Sequence, residues 1–486
     1  VRAIPSLILA ALVALPLQSG TGAGTISWTD VAPAHGQLER LGISKSTFDG
    51  RLRTIRQANA RRVHEGDLDH LIFYVLQSTR FTGLQPIEPA LSAKRHADTG
   101  EIPEAVRTRI AAFLEAVDSG RGGDARLSYF RDLARDTFPD PAGREAGLLR
   151  EYARVAKFIY EKEFVAQRAG DAARRDAAIA ELYRTRGLST DTAVEAGFVV
   201  YEALAVSHAL DPNLRIRRVL IVGPGLDLAP RTGLLEASAP QSYQPWAVID
   251  ALLSLGLARA SDLTVVGADI NPRVVDHLRG ARGRARTLTF VTGIADKDPV
   301  RLSEGYREYF ERLGSHLVSP RGGGPPPPVA ENQGDRLRRG LAEARVSRSR
   351  AQAEAPRALS NADRTAGHLS KAIRVDAAIS RVLDARHLDI VTERLSAEPF
   401  DLVIATNILP YFDDVELLLA LTNVSAMLEP GGLFLHNEPR PILGDFTDAL
   451  GLRLEQSRHA VIANVTGAPP LGDSVFLHRK LQSPVR

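Results

Sequence analysis

The chain has 486 residues, 44% of them hydrophobic, 24% charged and 6% aromatic, with a formal net charge of +3. At roughly 100–200 residues per domain this is about two or three domains with a real core, and ordinary apolar content with so small a net charge excludes disorder of the whole chain. No cysteine is present, which excludes a disulfide framework, a thiolate metal site and a cysteine nucleophile, and a single long uncharged stretch excludes a multi-span membrane protein.

That stretch comes first. Ala3 to Leu17 is apolar, follows Val1-Arg2, and precedes the small-residue run Ser19–Gly24. A short basic start, an apolar run and small residues describe a secretory signal peptide, here residues 1–24. Val1 reads as an alternative start codon of a bacterial gene. The competing readings are a buried N-terminal helix and an uncleaved anchor. A cleaved signal predicts a periplasmic or extracellular protein, and a non-functional one a cytoplasmic protein.

Residues 25–210 read as a helical domain. Phe48, Leu52 and Ile55 recur at helical spacing, and Leu68, Leu71, Ile72, Val75 and Leu76 form a second stripe. Pro103 opens a third element, continued by Ile110, Phe113, Leu114 and Val117. A further helix is expected over 146–168. Thr190 or Asp191 is placed to cap the last helix, through Val194, Phe198, Val199, Ala203 and Leu204. These stripes read as core, not as a cofactor box.

The texture changes after Arg217, and residues 211–486 read as one α/β domain. Short apolar runs at 218–222, 263–269, 388–392, 400–405 and 432–436 alternate with helical stretches, and 474–478 reads as a closing strand. Continuous apolar strands alternating with helices imply a doubly wound, Rossmann-like parallel sheet covered on both faces. Residues 319–360 interrupt it with a Gly/Pro run and an Arg/Glu/Ala tract, read as a low-complexity surface insertion without chemistry. The seven lysines and 54 arginines are scattered among acids. No clustered basic face emerges, so no nucleic-acid partner is expected, and no membrane contact beyond the N-terminal segment.

Function enters at Gly223-Pro224-Gly225. A strand ending in Gly-x-Gly makes a tight turn whose bare backbone a ligand can approach, at the carboxyl edge where open α/β sheets bind ligands. Asp269 ends the next strand, where an acid can accept hydrogen bonds from ribose hydroxyls. The dinucleotide pattern G-x-G-x-x-G fails, because its third glycine position is Leu228. That disfavours a nicotinamide-dependent oxidoreductase.

Taken together, residues 215–300 and 385–480 resemble the class I S-adenosylmethionine-dependent methyltransferases. The parts are Val219–Asp227, Val265–Asp269 with Ile270-Asn271-Pro272, Phe400–Phe412, and Met427-Leu428-Glu429-Pro430-Gly431-Gly432-Leu433-Phe434. Asn407, Leu409 and Tyr411-Phe412 look most like the chemotaxis-receptor branch. The resemblance implies S-adenosylmethionine as cofactor, with Gly223 and Gly225 beneath its methionine and ribose, Asp269 on the ribose and Ile270 on the adenine. Glu393, Arg394 and Leu395 would border the adenine, and Asn407 and Leu409 would line the mouth where an unidentified methyl acceptor enters. Two positions depart from the family: Ile221 stands where an acid is frequent. Asp227 stands at the third glycine, beside the expected place of the cofactor's carboxylate, and reads equally well as a helix cap.

Methyl transfer from a sulfonium asks for alignment and exclusion of water, and for a base only when the acceptor is a hydroxyl or amine. Asn407, Tyr411, His436 and Glu438 lie near the expected edge, and His436 is the best base by type. No metal site is expected. Three readings stay open: a methyltransferase, an exported protein that keeps the fold but not the reaction, and, weakest, the oxidoreductase. The oligomeric state is not legible.

Overall fold

The computed structural model describes residues 22–119, 124–168, 170–230, 234–318 and 366–482. The apolar N-terminal run and the insertion at 319–360 lie outside them. The first described element is a short strand, β1 (Ala23–Thr25). After a turn of 3-10 helix and α1 (His35–Arg40) comes α2 (Lys45–Gln77), 33 residues long. Ser44 and Thr47 form a reciprocal capping box at its start. The two sequence stripes are therefore two parts of one helix. Phe48, Leu52 and Ile55 enter one hydrophobic cluster and Leu68 to Leu76 another.

Four more helices build outward: α3 (Pro89–Thr99), α4 (Glu104–Ser119), α5 (Ala125–Thr137) and α6 (Pro141–Tyr160). The helix expected over 146–168 ends at Tyr160 and passes through a π turn and a 3-10 turn to Arg168. Then come α7 (Ala172–Thr185) and α8 (Ala196–Leu210). Neither Thr190 nor Asp191 caps α8, which starts after Glu195. Thr190 is taken elsewhere: its hydroxyl donates to the Leu226 carbonyl and its carbonyl accepts from Leu226 N–H, both at 2.8 Å.

The remaining strands are β2 (Arg218–Val222), β3 (Thr264–Asp269), β4 (Arg286–Val291), β5 (Val300–Leu302), β6 (Ser370–Val375), β7 (Leu383–His387), β8 (Glu393–Leu395), β9 (Phe400–Ala405), β10 (Leu428–His436), β11 (Leu452–Val465) and β12 (Ala468–Lys480). The helices among them are α9 (Gln244–Ser254), α10 (Pro272–Ala281), α11 (Glu304–Arg312), α12 (Ala377–Ser380), α13 (Asp414–Met427) and α14 (Ile442–Ala449). Eight strands form the main sheet in the order β5-β11-β12-β10-β9-β2-β3-β7. From β10 to β7 every pairing is parallel, and β12 runs antiparallel between β10 and β11.

This is a doubly wound, Rossmann-like α/β sheet whose order reverses between β2 and β9. Along β2, Val219 and Ile221 belong to one cluster and Leu220 and Val222 to the other, so both faces are buried, as the unbroken apolar run requires. One expected strand is displaced. Leu388–Thr392 is the turn after β7, because the Asp389 carboxylate accepts from Val391 N–H (3.1 Å) and the Thr392 hydroxyl (2.9 Å) and curls the backbone on itself.

Candidate functional site

The carboxyl ends of β2, β3, β7, β9 and β10 surround a cavity of about 960 Å³. It sits at the reversal of strand order, where open α/β sheets hold ligands, and its volume is at the upper end for small-molecule sites. Helix α7 forms its roof through Ile179, Ala180 and Tyr183. The roof is fixed by Arg62 of α2, which is buried and donates to the carbonyls of Tyr183 (3.1 Å), Arg186 (3.0 Å) and Tyr411 (3.1 Å). Tyr183 meets Tyr411 edge-on, with ring centroids 5.4 Å apart.

Gly223 and Gly225 both line the cavity, and both have positive φ, 66° and 74°. Their bare backbone already has occupants. A Cβ on Gly223 would meet the Ile408 side chain, and one on Gly225 would meet Thr190 and Thr192. The glycine turn is thus a seat for segment 190–192 as well as a cavity wall.

Asp269 stands beside it, 6% exposed. Asn271 N–H donates to its carboxylate at 2.8 Å, and the amides of Gly225 and Ile270 add to this. Burial nonetheless pushes its pKa up to about 7, the three amides pulling the other way. A carboxylate offers about four acceptor sites, so capacity remains toward the cavity. Ile270, Leu388 and Ile390 supply an apolar slot next to it, and Asp389 closes the slot with Asn59, whose amide donates to it at 3.1 Å.

On the other side of the reversal lies the wall containing Asn407. Its φ is 61°, the one positive value among described residues other than glycine. The strained turn is held by Asn437, which accepts from Asn407 N–H (2.9 Å) and donates to the Asn407 side chain (2.8 Å) and to Asp473 (2.7 Å). Tyr411 and Glu438 complete this wall. Glu438 is 5% exposed on its side chain, and burial raises its pKa while Arg440, 3.3 Å away, opposes the rise.

Four expected site residues are placed elsewhere. His436 is not at the cavity: it is fully buried, stacked on Phe476 and His478, with its pKa far below the usual value through burial and then the charge of His478. Its Nδ1 accepts from Glu438 N–H at 3.2 Å. The expected base is sealed in the sheet, and the carboxylate two residues on reaches the cavity. Asp227 faces a second cavity of about 510 Å³, accepts from the Tyr243 hydroxyl at 3.2 Å, and has a raised pKa from burial and then from the Asp191 charge. Glu393 and Arg394 do not border the cavity, because β8 pairs with β1. Arg394 donates to Asn423 and to the Asp30 carbonyl instead. Asp389 occupies the place expected for them.

Asp389, Asn59 and Tyr183 escaped the sequence reading, and Asp191 was read there only as a helix cap. Asp389 carried the same signal as Asp269, an acid at a strand end, but the Ile-Val-Thr run after it reads as strand. The other three come from the helical half, whose approach to the sheet leaves no local signal. Among the described residues no group of three or more acids or histidines is placed to hold a metal ion, and no helix is long and apolar enough to cross a membrane.

No protein-family model and no curated protein matches the sequence. Among solved structures, the chain is similar to a TehB-like SAM-dependent methyltransferase from Corynebacterium glutamicum, at 13% identity over 58% of this chain and 87% of that one, with a TM-score of 0.25. It is similar to the N-methyltransferase NodS from Bradyrhizobium japonicum at 11% identity over 59% and 98%, TM-score 0.25. It is also similar to magnesium protoporphyrin IX methyltransferase from Synechocystis with bound SAM, at 9% identity over 66% and 93%, TM-score 0.24.

Proposed function

We propose that this chain is an S-adenosylmethionine-dependent methyltransferase. The observation that carries the reading is the cavity at the strand-order reversal, where a buried carboxylate and an apolar slot stand side by side. The residues suit the cofactor's adenosine. Ile270, Leu388 and Ile390 would cover the adenine faces, Asp389 would accept from its amino group, and Asp269 would accept from the ribose hydroxyls. When bound, the cofactor supplies a methyl group already activated on a sulfonium.

The chain's own contribution is then alignment and dryness. Tyr183 and α7 cover the site, and Arg62 holds that cover against Tyr411. Asn407, locked by Asn437, gives a rigid polar rim where the acceptor enters. Glu438 is the group able to take a proton from a hydroxyl or amine acceptor, in place of the sealed His436. The acceptor would be a small molecule able to enter beneath α7.

Calorimetric titration of the full chain with S-adenosylmethionine tests the reading. Saturable binding that Asp269→Ala abolishes, with the variant still folded by circular dichroism, is expected. A folded wild-type chain that gives no binding heat removes it. Binding without methyl transfer to any component of a cell extract would favour the non-catalytic alternative.

A further inference from the structure

Five carboxylates line the large cavity: Asp191, Asp269, Asp389, Glu438 and Asp473. Four are engaged. Asp269 and Asp389 accept from backbone amides, Glu438 from Arg440, and Asp473 from Asn437. Asp191 differs: its side chain is 18% exposed, its buried Oδ1 is turned to His70, and its Oδ2 accepts no hydrogen bond from any described residue. A carboxylate oxygen left uncommitted on the wall of a ligand-sized cavity is free to accept from a ligand.

The surroundings of Asp191 sharpen the case. His70 stands behind it, 0% exposed, with Nδ1 3.4 Å from Asp191 Oδ1. Thr190 N–H donates to His70 Nε2 at 3.1 Å. Nε2 must therefore be the acceptor nitrogen, which leaves the ring proton on Nδ1, aimed at the Asp191 carboxylate. The segment carrying Asp191 is seated on the glycine turn through the Thr190–Leu226 hydrogen bonds, and only glycine at 225 leaves room for it. Asp191 is thus held beside β2, across the turn from Asp269.

We propose that Asp191 receives the ammonium group of the cofactor's amino-acid end, and that His70 is its positioning residue. This rests on the cofactor reading above. With the adenosine on the β3 and β7 side, the other end of the molecule extends past the glycine turn, where its single ammonium meets the uncommitted Oδ2 of Asp191. A charge-assisted hydrogen bond forms there, while Oδ1 stays turned to His70.

Two thioether probes separate the ends of the ligand. S-adenosylhomocysteine carries the amino-acid end, and 5′-methylthioadenosine has the same adenosine without it. Asp191→Asn in the full chain is expected to weaken S-adenosylhomocysteine roughly ten- to a hundredfold, and to leave methylthioadenosine within about twofold, well under one charged hydrogen bond. His70→Gln should shift the same ratio in the same direction by less, since it disturbs only the aim of the carboxylate. Retained methylthioadenosine affinity also shows that the variants fold. Unchanged S-adenosylhomocysteine affinity in Asp191→Asn, or equal loss of both probes, overturns the assignment and leaves the cofactor reading standing. A wild-type chain that binds neither probe overturns both.

Discussion

At Asp269 three backbone amides converge on a carboxylate that burial still drives up to about 7. Its ordinary value is 3.8, so the folded state holds this proton more tightly than the unfolded chain. The unliganded protein therefore loses stability from this group as pH rises from about 4 to about 7. Ligand binding runs the other way, because ribose hydroxyls need the ionised acceptor. Affinity for S-adenosylhomocysteine should climb as pH passes through about 7, and Asp269→Asn should bind weakly with a flat profile. A wild-type affinity independent of pH between 6 and 8 contradicts this. His436 gives the opposite control. Stacked between aromatic rings and closed to the cavity, it should cost about 1–3 kcal/mol of stability as His436→Asn, with ligand affinity unchanged. At this scale the sequence was a partial guide. Residue type and strand position located Asp269, Ile270, Asn407 and the glycines at the cavity. They misplaced His436, because it is the last paired residue of β10 and is covered by Phe476 and His478 of β12, whereas Glu438 lies past the strand end; that cover comes from pairing partners far along the chain.

Elements tie the site together through a few buried ions. Asp69 of α2, 3% exposed, pairs with Arg154 of α6 at 2.7 Å and with Arg186, just after α7, at 3.0 Å. Removing it would strand Arg186 without its charge partner, although the Phe158 ring still covers the guanidinium at 4.3 Å. Asp69→Ala should cost about 3–5 kcal/mol in urea denaturation, and ligand affinity should fall with it as the roof loosens. Loss of under about 1 kcal/mol would place the pair among surface-like bridges. Gly225→Ala is a second element-scale test. Positive φ and the occupied Cβ site predict destabilisation of about 2 kcal/mol or more, with segment 190–192 displaced and Asp191 with it. Most strands were readable from their apolar runs, because both faces of the sheet are buried. The Leu388–Thr392 turn was not, since its β-branched composition conceals the Asp389 side-chain turn.

Over the whole molecule, the helical half and the sheet share their packing. Leu71, Phe113, Val199, Val219 and Ile221 belong to one cluster, and Phe48 and Leu52 join Leu220 and Val403 in the other. The doubly wound class was legible in the alternation of elements; this shared core was not, because helical stripes announce a buried face without naming its partner. Thermal unfolding of the full chain should therefore show one transition by near-ultraviolet and far-ultraviolet circular dichroism alike. Separate transitions would mean that the halves fold independently. We also propose that the N-terminal apolar run directs export, with the boundary moved from Gly24, where cleavage would remove two of the three residues of β1. Ala23–Thr25 pairs with Glu393–Leu395, so cleavage N-terminal to Ala23 preserves that pairing. Mass spectrometry of the secreted chain should find its start there, and an uncleaved chain confined to the cell contradicts export. The most direct test of the central claim is a crystal structure of the full chain with S-adenosylhomocysteine. The account predicts adenine density between Ile270 and Leu388, ribose hydroxyls on Asp269 and the ammonium on Asp191. Ligand seated in another cavity, or none bound at saturating concentration, would contradict it.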